Sequence, residues 1–289
     1  MIASGRRIFT IAGNALTDLT RQRVFYFGLI VAPLLIASSI FMARFSFQQE
    51  FQILKDISLG VMSLLTSLLA IAGTARLVPQ DIEDRTVYTI LAKPVARFEY
   101  LLGKLLGVLV LLALSTALLS ALFFCILYVR EQSILSETAR QMSAAPRDQL
   151  VAALNGVKAS AFNGDLVPAI CTIYFKGALL AALTLFISSF ATSQLFTIVV
   201  MVFVYFIGHL QGVAREYWLH TQGSGWLAQI FLAIVALVFP DLQAFNLIDD
   251  AVAGTVIPLA LFGKTALLGL FYTTVYSAFA VVSFYGREL

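Results

Sequence analysis

Cysteine and histidine, the residue types that most often bind zinc, are rare in this sequence. The chain holds two cysteines, Cys125 and Cys171, and two histidines, His209 and His220. A structural zinc site needs a cluster of Cys and His ligands, and these residues are spread along the chain. Both cysteines fall inside apolar stretches, where cysteine packs as a small hydrophobic residue. We therefore expect no metal site, no cofactor and no disulfide framework.

A site for hydrolysing ATP is not predicted either. The nearest approach to the phosphate-binding pattern G-x-x-x-x-G-K-[ST] is PLALFGKT, in which Pro258 takes the place of the first glycine. An enzyme acting inside the membrane would need paired carboxylates or metal ligands at bilayer depth. The apolar stretches offer only Lys176 and His209, so the chain is not expected to be an enzyme.

Charged residues are densest in residues 77 to 104, LVPQDIEDRTVYTILAKPVARFEYLLGK. The charged side chains of this segment are Asp81, Glu83, Asp84, Arg85, Lys93, Arg97, Glu99 and Lys104. They surround a small apolar group, and Pro94 disfavours helix at the residue before it. The pattern predicts a short amphipathic helix that ends before Pro94. Its composition fits docking to another protein, but also a solvated loop of no special function.

The elements that position these residues are membrane helices. The chain has 289 residues, of which 60% are hydrophobic and 12% are charged, with a mean hydropathy of +0.91. A soluble domain has about 25% charged residues. The apolar residues form blocks long enough to cross a bilayer as helix, and they lack the alternation of a membrane barrel. The predicted fold class is an all-α polytopic membrane protein whose surroundings are lipid, and the net charge of +3 indicates no nucleic-acid partner.

Six transmembrane helices are predicted, within a single transmembrane domain that covers residues 1 to 289. The predicted spans are 24–43, 57–75, 105–129, 167–191, 195–210 and 266–285. Two further apolar runs, 226–240 and 252–262, are short for a crossing. We interpret 226–240 as a re-entrant or interfacial helix before the last span, with a seventh full span as the alternative.

Lysine and arginine residues near the first spans predict the orientation. They are concentrated on the side that holds the N-terminus, and the cytoplasmic side of a membrane protein carries such an excess. Both termini are therefore expected in the cytoplasm, in a cell inner membrane. The loop 79–100 then lies inside and the loop 130–166 outside.

Two segments outside the spans are expected to be helical. Residues 4 to 22 repeat apolar residues at helical spacing, which predicts an amphipathic helix lying flat on the inner surface, either as an anchor or as an interface for a partner. In the outer loop, Pro146 is a helix-start signal, and Asn155 with Gly156 is a stop signal. That loop is expected to contain one short helix.

Three residues in or beside the predicted spans have other expected roles. Lys176 lies within an apolar span, where its ammonium either snorkels to the outer interface, as we prefer, or lines a pathway. Gly103 and Gly107 form a GxxxG pattern, which gives a surface for the close approach of another helix. That helix could belong to a second copy of the chain.

Residues 83 to 104 resemble the first cytoplasmic loop of type 2 ABC exporter permeases, in which the pattern gTl..lLakPvsR..yllGK recurs. The matching residues are Thr86, Leu91, Pro94, Arg97, Tyr100, Gly103 and Lys104. The glycine that usually precedes the threonine in this family is Arg85 here. The segment FPDLQAFNLIDDAVAG, at 239 to 254, and the C-terminal FYGREL are similar to the branch of multi-copper-enzyme maturation permeases.

The resemblance implies the membrane subunit of an ATP-binding-cassette exporter. Such subunits pair as homo- or heterodimers, and each binds an ATPase subunit through a coupling helix in the first inner loop. By resemblance, residues 83–94 form that helix and residues 4–22 form an interface helix. The residues implied at the ATPase contact are Glu83, Asp84, Arg85, Thr86, Tyr88, Leu91, Pro94 and Arg97. The resemblance does not identify the cargo.

Another class of function also fits the sequence. A membrane scaffold could assist the maturation or assembly of another protein without moving a solute. An ion-coupled transporter is disfavoured, because the predicted spans hold no acidic residue and such transporters use buried carboxylates.

Overall fold

The computed structural model describes residues 2–43, 50–86, 95–143, 146–220 and 239–286. Every regular element in these ranges is helical, which confirms the predicted all-α class. The helices are α1 (Ile2–Thr20), α2 (Arg23–Ala43), α3 (Glu50–Ala75), α4 (Leu77–Glu83), α5 (Arg97–Gln141), α6 (Arg147–Ala161), α7 (Leu166–Phe190), α8 (Gln194–His220), α9 (Ile248–Ala253) and α10 (Leu259–Tyr285). A 3₁₀ turn, Gln243–Phe245, precedes α9.

Five helical segments in the described ranges are long and apolar enough to cross a membrane. They are Glu50–Glu83, Arg97–Gln141, Arg147–Phe190, Gln194–Gly212 and Leu259–Tyr285. A sixth is obtained if α1 and α2, which are bent by 63° to each other, are taken together. The described structure is therefore helical, with five or six segments that could cross a membrane, and a total of six spans remains a prediction.

Helix α7 forms the centre of the bundle. It packs against α3, α5 and α10, and a continuous series of its residues, 176 to 185, is buried. A helix that is apolar all round must be enclosed by other helices. Its buried hydroxyls bond within the helix, as where the Thr184 Oγ1 donates to the Leu180 carbonyl at 2.6 Å. The core is therefore built around α7.

Several helices continue well past the uncharged windows that predict them. Helix α5 has 45 residues instead of the predicted 105–129, which at 1.5 Å per residue gives about 67 Å. It thus exceeds the ~30 Å hydrocarbon layer. Helix α10 starts at Leu259 rather than at residue 266, because the last part of the 252–262 run joins it after Pro258.

We call the end of the bundle that holds Asp81 and Tyr100 the motif end, and the opposite end, with Glu50 and Arg130, the distal end. At the distal end, the predicted helix stop at Asn155 and Gly156 is wrong. Both residues lie inside α6, which runs to Ala161. The Lys55 Nζ donates to the Ser160 carbonyl at 2.8 Å, so the last turn is held by a contact from another helix, which outweighs the weak local stop signal.

Helix α1 lies in a groove of α5 that its glycines create. Its observed bounds are close to the predicted 4–22, and Ala12, Ala15 and Leu19 are buried. A Cβ added at Gly103 would lie 2.8 Å from the Ile11 Cβ, and one at Gly107 would lie 2.8 Å from the Ala12 carbonyl oxygen. The close approach predicted for the GxxxG pattern is thus made to α1 of the same chain.

The segment 239–247 contains no α-helix, and apart from the 3₁₀ turn its backbone is irregular, with several of its residues buried. Leu242 and Phe245 are buried, and the Leu242 amide donates to the Gly208 carbonyl at 3.1 Å. Irregular backbone at membrane depth is tolerated only where protein encloses it or where it lines a water-filled cavity. The predicted re-entrant or interfacial helix at 226–240 falls, except for its last two residues, outside the described residues.

Substitution of Gly107 by alanine tests the α1 groove. We expect Gly107→Ala to lower the free energy of unfolding by about 1 to 3 kcal/mol, because the new methyl group meets backbone rather than a flexible side chain. The matched control is Gly60→Ala in α3, where an added Cβ meets nothing within 4 Å. The measurement is unfolding in detergent, together with the rate of tryptic cleavage in α1. Equal stability of the two variants would contradict this packing.

Candidate functional site

We call residues 79–100 the motif loop, and the contacts that Asp81, Arg97 and Glu99 make near its two ends the base of the loop. The first of these contacts are those of Asp81. Its carboxylate lies 2.8 Å from the Lys104 Nζ and accepts a hydrogen bond from the Tyr100 hydroxyl. The Tyr100 side chain is fully buried and stacks on Phe284, with ring centroids 5.9 Å apart. Asp81 thus connects the end of α4 to α5, and the stacking of Tyr100 on Phe284 connects α5 to α10. The motif residues Tyr100 and Lys104 therefore have structural roles.

Glu99 makes the corresponding contacts to α1. Its carboxylate accepts hydrogen bonds from the Ser4 hydroxyl and from the Ala96 amide at 3.2 Å, and it lies 3.6 Å from the Arg7 Nη1. A glutamate that reaches back to the residue before the helix stabilises the first turn. Glu99 therefore fixes the start of α5 and attaches α1 to it.

Arg97 caps the last helix. Its Nη1 donates to the carbonyl oxygens of Phe284, at 3.2 Å, and of Tyr285, at 3.0 Å. A cation at the C-terminus of a helix satisfies free carbonyls and interacts well with the helix dipole. The resemblance implied an ATPase contact for Arg97, whereas these contacts connect the start of α5 to the end of α10.

The other residues implied at that contact divide into two groups. Glu83, Asp84, Arg85 and Thr86 are exposed where α4 ends. Local hydrogen bonds support the turn, among them those from the Thr86 Oγ1 to the Asp81 carbonyl at 3.2 Å and from the Arg85 amide to the Ile82 carbonyl at 3.1 Å. The remaining three, Tyr88, Leu91 and Pro94, lie outside the described residues.

Arg85 has the backbone conformation of a glycine. Its φ is 55°, the left-handed region, which is disfavoured by about 1 to 2 kcal/mol for residues with a Cβ. This is the position at which the similar permeases usually have glycine. The sequence therefore differs from the family pattern in the residue type at this position. The backbone of the turn still has the conformation that glycine favours.

Lys176 is the titratable residue at the centre of the bundle. It is only 6% exposed, and its Nζ lies 3.2 Å from the Ser63 Oγ and 3.0 Å from the His209 Nε2. It also lies 5.6 Å from the centre of the Tyr205 ring. The preferred interpretation, that this ammonium snorkels to the outer interface, is wrong, because polar groups on α3 and α8 enclose it.

The imidazole of His209 is oriented to accept from Lys176. Its Nδ1 lies 2.9 Å from the Tyr205 carbonyl, which only accepts hydrogen bonds, so the proton is assigned to Nδ1 and the lone pair to Nε2. Ser63 and Tyr205 carry no signal in the sequence that places them near Lys176. The three helices α3, α7 and α8 bring these groups together.

In the described part of the chain, no group of three or more His, Cys, Asp or Glu residues is placed to hold a metal ion. Comparison of the chain with protein-family models and with curated proteins gives no match. The family resemblance thus depends on the sequence motif.

Removal of one partner tests the importance of the Asp81 ion pair. We expect Lys104→Met to lower the free energy of unfolding by about 2 to 4 kcal/mol, because it leaves a largely buried carboxylate without its cation. Adding Asp81→Asn to this variant should recover part of the loss. A double-mutant cycle in detergent measures the coupling, and additive effects of the two substitutions would contradict it.

The strain at Arg85 can be tested separately. Arg85→Gly should raise the free energy of unfolding by roughly 0.5 to 1 kcal/mol, since glycine adopts a positive φ without a Cβ clash. The neighbouring Asp84, with a φ of −77°, is the matched control, and Asp84→Gly should be destabilising. Equal effects of the two substitutions on the unfolding midpoint would exclude a left-handed turn at Arg85.

Proposed function

We propose that this protein is the membrane subunit of an ATP-binding-cassette exporter, moving a substrate across the membrane with ATP hydrolysed by a separate subunit. The observation that carries the proposal is the motif loop. An exposed charged turn, 83–86, with glycine-like geometry at the family's glycine position, projects from a base of ion pairs and hydrogen bonds. The membrane helices are the second support.

The proposed ATPase contact begins at this turn. Glu83, Asp84 and Arg85 supply charges at the rim, which set orientation and the rate of association. By resemblance, Tyr88 and Leu91 supply the apolar contact with a groove on the ATPase subunit. In this proposal the loop 79–100 is cytoplasmic, and both termini lie on the same side of a cell inner membrane.

The base offers three routes by which movement of the turn can reach the membrane helices. Asp81 connects it to α5 through Lys104, Arg97 connects α5 to α10, and Glu99 connects α5 to α1. Close-packed helices with such contacts move as units rather than deforming. ATP-driven movement of the loop would therefore tilt these helices together, which is a rigid-body transition. A second copy of the chain, or a related one, completes the proposed transporter.

Charge reversal tests the ATPase contact. In the variant Glu83→Lys/Asp84→Lys, the amount of ATPase that co-purifies from native membranes should fall at least tenfold, because both carboxylates are exposed at the proposed interface. The measurements are ATP hydrolysis by the purified complex and labelling of a second polypeptide by azido-ATP. The control is Glu137→Lys, which changes a carboxylate that is also exposed but lies at the distal end, and it should leave both signals unchanged.

Two results would argue against the proposal. One is a wild-type preparation that contains no polypeptide labelled by azido-ATP. The other is unchanged co-purification of the double variant. Retention of the unfolding midpoint in the double variant establishes that any loss reflects docking and not misfolding.

A further inference from the structure

A cavity of about 1310 Å³ opens at the distal end, away from the motif loop. It lies between the start of α3, the extension of α5, the second half of α6 and the end of α9. Small-molecule sites in proteins are typically concave spaces of about 300 to 1,000 Å³, so this space is large enough for a small ligand. The proposed ATPase contact makes no use of it.

Lys55, in the wall of this cavity, is a buried cation. Lys55 is only 3% exposed. Its Nζ donates a hydrogen bond to the Ser160 carbonyl at 2.8 Å. An ammonium has three donors, and the hydrogen bond found among the described residues uses one of them. Burying an ammonium without an opposite charge is unfavourable.

The carboxylates of the cavity wall do not neutralise Lys55 in the described structure. Glu50 pairs with Arg130, whose Nη2 lies 2.6 Å from its Oε2. Glu137 is exposed on α5, where water and salt screen its charge. The described part of the wall thus presents a buried positive charge with capacity for an anion.

The rest of the wall indicates what would be attached to that anion. Part of the wall is aromatic or aliphatic, formed by Phe51, Ile134, Val157, Phe162 and Val252, and it lies among polar residues that include Thr138 and Gln141. Binding sites combine such apolar surface with a few polar groups that orient the ligand. The amides of Gln52 and Asn163 lie in the same wall.

We propose that the distal cavity binds an amphiphile with one negatively charged head group. The head group pairs with Lys55, and the apolar chain lies along the five aromatic and aliphatic side chains of the wall. Both a free carboxylate and the phosphate of an anionic lipid have this chemistry. The site is independent of the proposed ATP-driven function.

Lys55 also has a structural role, since the Ser160 carbonyl belongs to the last turn of α6. The test therefore needs a variant that blocks the cavity without touching this contact. Gly156 lines the cavity, and a Cβ added there meets nothing within 4 Å. Gly156→Leu should fill part of the space while favouring helix in α6.

The experiment is calorimetric titration of the full chain, in phosphatidylcholine nanodiscs, with decanoate and with decanamide, which share one chain and differ in charge. Wild-type protein should bind decanoate at least tenfold more tightly than decanamide. Lys55→Gln should remove that preference, whereas Lys158→Gln, at an exposed lysine of α6 outside the cavity wall, should keep it. Gly156→Leu should weaken decanoate binding at least tenfold with an unchanged or higher unfolding midpoint.

A repeat in nanodiscs containing phosphatidylglycerol distinguishes the two sources of the ligand. Competition with decanoate identifies a lipid phosphate as an occupant, and undiminished binding identifies a free carboxylate. Equal affinity for decanoate and decanamide in wild-type protein would overturn the proposal. Full decanoate binding by Gly156→Leu would overturn it as well, even if Lys55→Gln fails to fold.

Discussion

The contact between Asp81 and Lys104 is the interaction on which the motif end depends. A carboxylate or an ammonium with little access to water is unfavourable unless an opposite charge neutralises it. The Asp81 carboxylate and the Lys104 ammonium, 2.8 Å apart, neutralise each other. The hydroxyl of Tyr100 adds a third group to the same carboxylate. Because Tyr100 also stacks on Phe284, this one acidic side chain determines how α4 meets α5 and, through the ring stack, α10.

The first two turns of α5 carry this organisation further. Within residues 97 to 104, Arg97 reaches the end of α10, Glu99 reaches α1, and Lys104 reaches α4. Gly103 lies between them and lets α1 approach α5. A motif that resembles a docking loop therefore contains two kinds of residue: an exposed turn suited to a partner, and a buried set that attaches the turn to the membrane helices.

Two buried lysines show how context decides the use of one residue type. Lys176 is surrounded by the Ser63 hydroxyl, the His209 imidazole and the Tyr205 ring, all neutral in the protonation state assigned above. Lys55 contacts a backbone carbonyl beside a cavity. The first is enclosed by helices, whereas the second lies in the wall of a cavity. The same residue type thus forms a packed polar cluster in one place and the proposed binding site in the other.

The sequence by itself determined the helical class, the positions of the apolar cores of the helices and the amphipathic character of α1, because these follow from hydropathy and periodicity, which are local properties. It did not determine where helices end, since α5, α6 and α10 continue past the predicted limits. Charged residues beyond an apolar window form ion pairs with other helices, as Arg130 does with Glu50. The partner of the GxxxG pattern, the enclosure of Lys176 and the cavity beside Lys55 were likewise decided only by the tertiary structure. Each of these depends on groups far apart in the chain, and spacing along a sequence carries no information about which helices become neighbours.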